Sequence, residues 1–241
     1  MRMRVWITAL AAGMLAFCAL AARAEDLGSV EKKIVKKWQQ HRSMRAKFVR
    51  REATGGKTGK AVAHGEGSYA FMRRGGKLLF RREIKTTMEV NAGGQKMKFE
   101  LSELTVCDGK FIYTLSDRVG MKSVTKSRPD PGGGEDLEAL LETLRAENRL
   151  KLLDPATVAG QDAYVIEATP KRRPTGRPYQ TVVYYFSKEH GVLLKQESRD
   201  REGKAVQTTT YADLEFDVKI DPKQFEFQAP EGIPIKDQTA D

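Results

Sequence analysis

The residue types that most often carry catalysis or metal binding are few in this chain and widely spaced. The three histidines are His41, His64 and His190. None of them belongs to an HExxH motif or lies near a CxxC pair, so the sequence does not predict a zinc site. The Gly-Glu-Gly-Ser segment at residues 65–68 lacks the Gly-Lys-Ser/Thr of a phosphate-binding loop. No Gly-x-Ser-x-Gly motif is present.

These negative findings favour a binding protein over an enzyme, and we expect no cofactor and no metal. An exported hydrolase stays open as a further hypothesis, because no spacing among the 32 Asp and Glu residues singles out a catalytic pair. Nucleic-acid binding is the least favoured class, since no motif of aromatic and basic residues is present.

The N-terminus has the pattern of a secretory signal peptide. Arg2 and Arg4 precede an uncharged apolar run, and Ala22-Arg23-Ala24 forms a small-x-small cleavage site. We expect residues 1–24 to be removed and residues 25–241 to form one exported domain. An uncleaved membrane anchor and a lipoprotein signal ending at Cys18 are the alternatives.

Export changes how the charge and the cysteines are interpreted. Of the net charge of +10, three charges belong to arginines of the signal peptide. The remaining excess favours an anionic membrane surface or an acidic partner. Cys107 would be left alone, so it cannot form an internal disulfide. We expect it to be a small buried apolar residue.

The remaining chain has short segments of alternating polarity separated by glycine turns. This pattern predicts about eleven antiparallel strands in a mainly β fold, ending in a strand at residues 225–228. One helix is predicted over residues 29–41, capped by Ser29, and a second over residues 135–148. The second helix carries leucines at i, i+3, i+4 and i+7, which form an apolar stripe.

Three parts of the chain carry recognisable motifs. The first is SMRAKF at residues 43–48, followed by HGEGSYAFMRR at residues 64–74. The second is VCDGKFIY at residues 106–113, and the third is IDPKQFEFQAPEG at residues 220–232. Together with the signal peptide, they resemble the LolA/LolB-like family of periplasmic lipoprotein carriers.

The resemblance implies a single incomplete antiparallel β-barrel with amphipathic helices forming a lid over its concave face. It also implies a carrier without catalysis, which binds acyl chains of lipoproteins or other lipids and moves them between envelope membranes. Such a carrier would be a monomer that meets an inner-membrane donor and an outer-membrane acceptor. The alternative within the same fold is an envelope sensor or binding module that docks a partner protein. The basic loop at residues 171–177 would then be a contact.

The alternating strands supply residues for an apolar cavity, although plain core packing would give the same pattern. The expected cavity residues are Met97, Phe99, Leu101, Phe111, Tyr113, Val182, Tyr184 and Phe186. The expected lid residues are Ile34, Trp38, Leu137, Leu140, Leu141 and Leu144. The family also has an arginine that latches the lid, and its motif falls on Arg74 or, with a slip of one position, on Arg73.

Overall fold

A computed structural model describes residues 25–56, 59–129, 137–172 and 179–239 of the chain. The signal-peptide prediction and part of the basic loop therefore lie outside the described residues. The helices are α1 (Leu27–Trp38), α2 (Leu137–Glu147) and one turn of 3₁₀ helix (Pro222–Phe225). The strands are β1 (Ser43–Gly56), β2 (Gly59–Arg74), β3 (Lys77–Ala92), β4 (Gln95–Cys107), β5 (Ile112–Arg118), β6 (Met121–Ser127), β7 (Asn148–Val158), β8 (Gln161–Pro170), β9 (Thr181–Ser187), β10 (Leu193–Arg199), β11 (Ala205–Phe216) and β12 (Ile235–Asp237).

All twelve strands belong to one open sheet, in the order β12-β6-β5-β4-β3-β2-β1-β11-β10-β9-β8-β7. Eleven of them form two antiparallel meanders that meet where β1 pairs with β11. The predicted mainly β fold with about eleven antiparallel strands is thus confirmed. The twelfth strand is short and runs parallel to β6.

Two local predictions are wrong. The cap of α1 is Asp26, whose carboxylate accepts hydrogen bonds from the Ser29 nitrogen at 3.0 Å and the Ser29 hydroxyl at 2.7 Å. Ser29 is therefore the third residue of the helix, where a free N–H needs such an acceptor. The strand predicted at residues 225–228 is absent, because Pro222 begins a 3₁₀ turn that ends at the buried Phe225.

The main core lies between the two helices and one face of the sheet. Val30 and Ile34 of α1 are fully buried there, and the ring of Trp38 lies 4.4 Å from that of Phe71 on β2. Cys107 is part of this core, as expected for a small buried residue. We call this face, the one that the helices cover at one end, the concave face.

A second, smaller set of buried residues lies on the opposite, convex face. Val106 of β4 is fully buried next to Cys107 but faces the other way, because neighbouring side chains of a strand alternate. The C-terminal segment covers this region, since Ile220 and Phe225 are also buried. Phe227 of the same segment stacks on Tyr113 at 4.9 Å.

Candidate functional site

The predicted lid residues lie together, and they fill the space between helices and sheet. Ile34, Trp38, Leu137, Leu141 and Leu144 are buried in the main core, and the partly exposed Leu140 packs against it. Val182, Tyr184 and Phe186 on β9 belong to the same packed region, and Phe186 has no exposed surface. Among the described residues, this part of the concave face is therefore packed core.

Two expected cavity residues are on the wrong face. Tyr113 pairs with Val106, so it shares the convex face, and its ring is covered by Phe227. Phe111 has the same parity and lies beside Tyr113, with the Lys126 ammonium 4.1 Å from its ring centre. The prediction that Phe111 and Tyr113 line the concave face is wrong, because the alternation of β5 was assigned to the wrong side.

Arg73, and not Arg74, contacts the helices. Arg73 follows Phe71 at the alternating position, so its side chain lies on the concave face, 5.0 Å from the ring centre of Trp38. Arg74 is exposed, lies next to the Gly75-Gly76 turn and is paired with Lys77 on β3. Of the two positions predicted for the latch, Arg73 therefore contacts α1, and the contact is a cation–π interaction.

Beyond the core, a polar band crosses the concave face. Arg82 on β3 donates to Glu103 on β4 at 3.0 Å, and Arg50 on β1 donates to Glu52 at 3.2 Å. Arg50, Arg82 and Glu103, together with side chains from β10 and β11, line a space of about 270 Å³. The band also contains Gln196, Ser198, Gln207 and Thr209. It separates the packed core from the far end of the sheet.

The far end of the concave face holds an open groove of about 580 Å³. Its floor is mostly apolar, and no helix covers it within the described residues. The floor residues are Ala61, Ala63 and Gly65 on β2, Ile84, Thr86 and Met88 on β3, and Phe99 and Leu101 on β4. Its rim carries charged side chains, namely Arg50, Glu52, Glu103, Asp117 and Arg118. A volume of this size is within the range of small-molecule sites.

Small residues on β2 keep the groove open. A methyl group on Gly65 would come within 2.8 Å of Ile84 Cδ1. At Gly67, a methyl group would lie 2.2 Å from the Glu83 carbonyl oxygen and 2.4 Å from the ring of Phe48. Phe48 thus lies directly against the β2 backbone, at the boundary between the core and the polar band.

Sequence reasoning found the β4 part of this groove and missed the rest. Phe99 and Leu101 line it, whereas Met97 lies further along the same face and is 42% exposed. The part on β2 is visible in the sequence as small residues at every second position, namely Ala61, Ala63 and Gly65. Such residues do not by themselves predict an apolar groove, because they have little apolar surface of their own.

A histidine pair lies where α1 meets the sheet. His41 Nδ1 is 3.1 Å from a carboxylate oxygen of Asp217, and the ring centres of His41 and His190 are 5.3 Å apart. Both rings contact Phe216. Burial lowers the pKa of His190, with the nearby His41 and Lys37 adding to the effect while Glu189 and Asp217 oppose it.

The described residues contain no group of three or more His, Cys, Asp or Glu side chains placed so that they could hold a metal ion. No helix in the same part of the chain is long and apolar enough to span a membrane.

The fold and the groove define an open-sheet β protein whose concave face is covered by helices at one end. A family model described as "Uncharacterized protein" matches residues 134–228. No curated protein matches the chain.

The chain is similar to several solved structures, three of which cover at least 82% of it. MucB, in the MucA/MucB complex of Pseudomonas aeruginosa, is 15% identical with a TM-score of 0.45, over 82% of this chain and 59% of MucB. A conserved protein from Thermus thermophilus is 12% identical with a TM-score of 0.48, over 86% of this chain and 98% of that one. A putative outer membrane lipoprotein-sorting domain from Vibrio parahaemolyticus is 14% identical with a TM-score of 0.36, over 83% and 97%.

The name of the last of these structures is of the same kind as the family that the motifs resemble. The chain spans at most 62% of the MucB chains that it matches. All three TM-scores are below 0.5.

Proposed function

We propose that this protein is a periplasmic carrier that binds an acyl chain of a lipoprotein or another lipid in the open groove and moves it between envelope membranes. The observation that carries the proposal is the apolar floor of the groove, which is reached from solvent without moving either helix. Each methylene group buried there contributes about 0.8 kcal/mol. Binding of this kind requires no catalysis, cofactor or metal.

The charged rim suits the other end of such a ligand. Arg50 and Arg118 line the groove beside its apolar floor. A carboxylate or phosphate at the end of an acyl chain would pair with Arg118 while the chain lies on the floor, since Arg50 is already paired with Glu52. The signal-peptide pattern at residues 1–24 supports a periplasmic location for this exchange.

The test is displacement of a fluorescent fatty-acid probe by palmitate, with two matched tryptophan variants. Ala63→Trp places a large ring on the floor of the groove, whereas Val62→Trp adds the same ring to the convex face, where Val62 is 54% exposed. We expect Ala63→Trp to weaken probe binding at least tenfold and Val62→Trp to leave it unchanged. Thermal melting of both variants checks that each is folded.

A folded Ala63→Trp variant that binds the probe like the parent protein would refute the groove as the site. A second variant, Leu101→Asp, should give the same loss by placing a charge on the floor. Native mass spectrometry of protein purified from its own host should show a bound lipid or lipoprotein.

A further inference from the structure

The register of the sheet places one residue from each of five neighbouring strands in a straight row across the groove. From β5 to β1, these residues are Arg118, Leu101, Thr86, Gly65 and Arg50. We call them the central row. All five line the groove. The groove therefore runs across the strands, with an arginine at each end.

Larger side chains flank the central row on both sides. Towards the core, Ile84 lies so close that a methyl group on Gly65 would come within 2.8 Å of it. Towards the far end of the sheet, Met88 and Phe99 are paired on β3 and β4. The two flanking rows are four residues apart, which is about 13 Å along the strands. Because side chains of this size take up part of that distance, the space along the central row is narrow.

The length of the central row matches one extended acyl chain. Strands β5 and β1 are separated by four strand intervals of about 4.8 Å, so the row is about 19 Å long. An extended chain advances about 1.2 Å per bond, since the three backbone bonds of a residue span at most about 3.6 Å. A saturated chain of about 16 carbons is then roughly 18 Å long.

The volume of the groove leaves no space for a second chain of this length. The groove measures about 580 Å³. A methylene group fills about as much space as a water molecule in the liquid, roughly 30 Å³, so about 19 carbons fit. Two chains of about 16 carbons each would need nearly twice that volume. The rest of the concave face offers no substitute, since it is packed core under the helices and ion pairs in the polar band.

A hollow of about 860 Å³ adjoins the groove where β5 ends. It shares Phe99 and Leu101 with the groove, but most of its other lining residues are polar or charged. The ionisable ones are His64, Glu66, Lys85, Lys98, Glu100 and Asp117. An acyl chain over these groups would remove them from water without giving them partners. The hollow therefore suits the polar end of a lipid that leaves the groove at Arg118, and not a second acyl chain.

We propose that the groove selects a single-chain lipid of about 16 carbons, whose chain lies along the central row with its polar end at Arg118. The methyl end would stop at Arg50 and Glu52, which are paired at 3.2 Å on β1. We call this pair the end wall, because a longer chain would have to cover it and exclude water from both charges. The inference rests on the proposed carrier function and narrows its ligand to fatty acids and lysolipids.

The first test counts the chains that are bound. Native mass spectrometry of the protein with excess palmitate should show one palmitate per protein. The protein is then incubated with phosphatidylcholine vesicles that contain equal amounts of palmitoyl lysophosphatidylglycerol and dipalmitoyl phosphatidylglycerol. The bound lipid, identified by its mass, should be the single-chain form in at least tenfold excess.

The second test measures the end wall with fatty acids of increasing length, by displacement of the fluorescent probe. Palmitate should bind more than tenfold more tightly than laurate, because four more methylene groups are buried. Arachidate should bind no more tightly than palmitate, since its last carbons pass the end wall. In Ala63→Trp the ring stands beside Glu52, one strand nearer to Arg118. Laurate and palmitate should then bind equally, whereas the convex-face control Val62→Trp keeps the preference for palmitate.

The outcomes separate this inference from the carrier function. Two palmitates per protein, equal capture of the two-chain lipid, or tighter binding of arachidate than of palmitate would overturn the selection of one chain and leave a lipid carrier in place. A folded Ala63→Trp variant that still prefers palmitate over laurate tenfold would overturn the placement of the methyl end at β1. Absence of all fatty-acid binding would overturn the carrier function itself, and this inference with it.

Discussion

The ion pair between the two helices allows a quantitative test of how they are held together. Glu31 on α1 is only 4% exposed, and one of its carboxylate oxygens accepts from the Arg145 guanidinium on α2. Its other oxygen, Oε1, has no hydrogen-bond partner among the described residues. The side chain of Arg145 is 65% exposed. The pair thus joins a buried anion to a cation that water still reaches.

This asymmetry sets the expected magnitudes. Breaking a fully buried pair costs about 3–5 kcal/mol. Because water screens the guanidinium, we expect Arg145→Ala to lower the free energy of unfolding by less, about 1–3 kcal/mol, the cost of a buried polar group without a partner. Glu31→Met removes the group that needs a partner and should change the free energy by less than about 1 kcal/mol.

The assay is urea unfolding followed by circular dichroism, with the double variant Arg145→Ala/Glu31→Met completing a cycle. The double variant should be nearly as stable as Glu31→Met alone. Once the Glu31 carboxylate is gone, loss of Arg145 leaves no buried carboxylate without a partner. Arg149→Ala, at an exposed position on β7, controls for loss of an arginine. Equal losses for Arg145→Ala and Glu31→Met, with no coupling between them, would refute the reasoning.

Three further predictions concern the sheet and its charges. Gly67→Ala should destabilise the fold by about 1–3 kcal/mol in urea unfolding, because its methyl group would lie 2.4 Å from the Phe48 ring; unchanged stability would contradict this close approach. The pKa of His190 lies below its ordinary value of 6.5 because burial disfavours the imidazolium, so its contribution to stability is present above pH 6.5 and lost as the pH falls through the lowered pKa. The melting temperature should therefore fall between about pH 7.5 and 5, and it should fall less in His190→Gln. If the melting temperature of this variant depends on pH as in the parent protein, His190 is not the source of the fall. Tyr113→Ala should lower the melting temperature by exposing Phe227 but leave fatty-acid binding intact. Loss of fatty-acid binding in a folded Tyr113→Ala variant would show that Tyr113 belongs to the binding site.

The strands were predictable because their side chains alternate and glycine turns separate them. The helix carrying Leu137, Leu141 and Leu144 was predictable from its spacing, and all three leucines are buried. The position of Asp26 as the cap was missed because Ser29 also has a capping side chain. Local sequence does not decide between two such residues three positions apart.

The groove was only partly predictable, for a different reason. Alternation tells which residues share a face, but it does not tell which face the helices cover or where they stop. Val182 and Leu101 both belong to strands in which apolar residues occupy every second position. Val182 nevertheless packs against the core under the helices, whereas Leu101 lies in the groove. The C-terminal segment that covers Tyr113 is far away in sequence, so its effect on that face could not be anticipated.

The pairing of β1 with β11 has a consequence for the order of folding. Each meander is built from hairpins between strands that follow each other in sequence, and such local contacts form quickly. The seam between β1 and β11 instead joins Met44 to Phe216, which are 172 positions apart in the sequence (216 − 44). It closes the largest loop, so it forms late. A folding chain therefore passes through a stage in which the edges of β1 and β11, in the middle of the finished sheet, are both exposed to other chains.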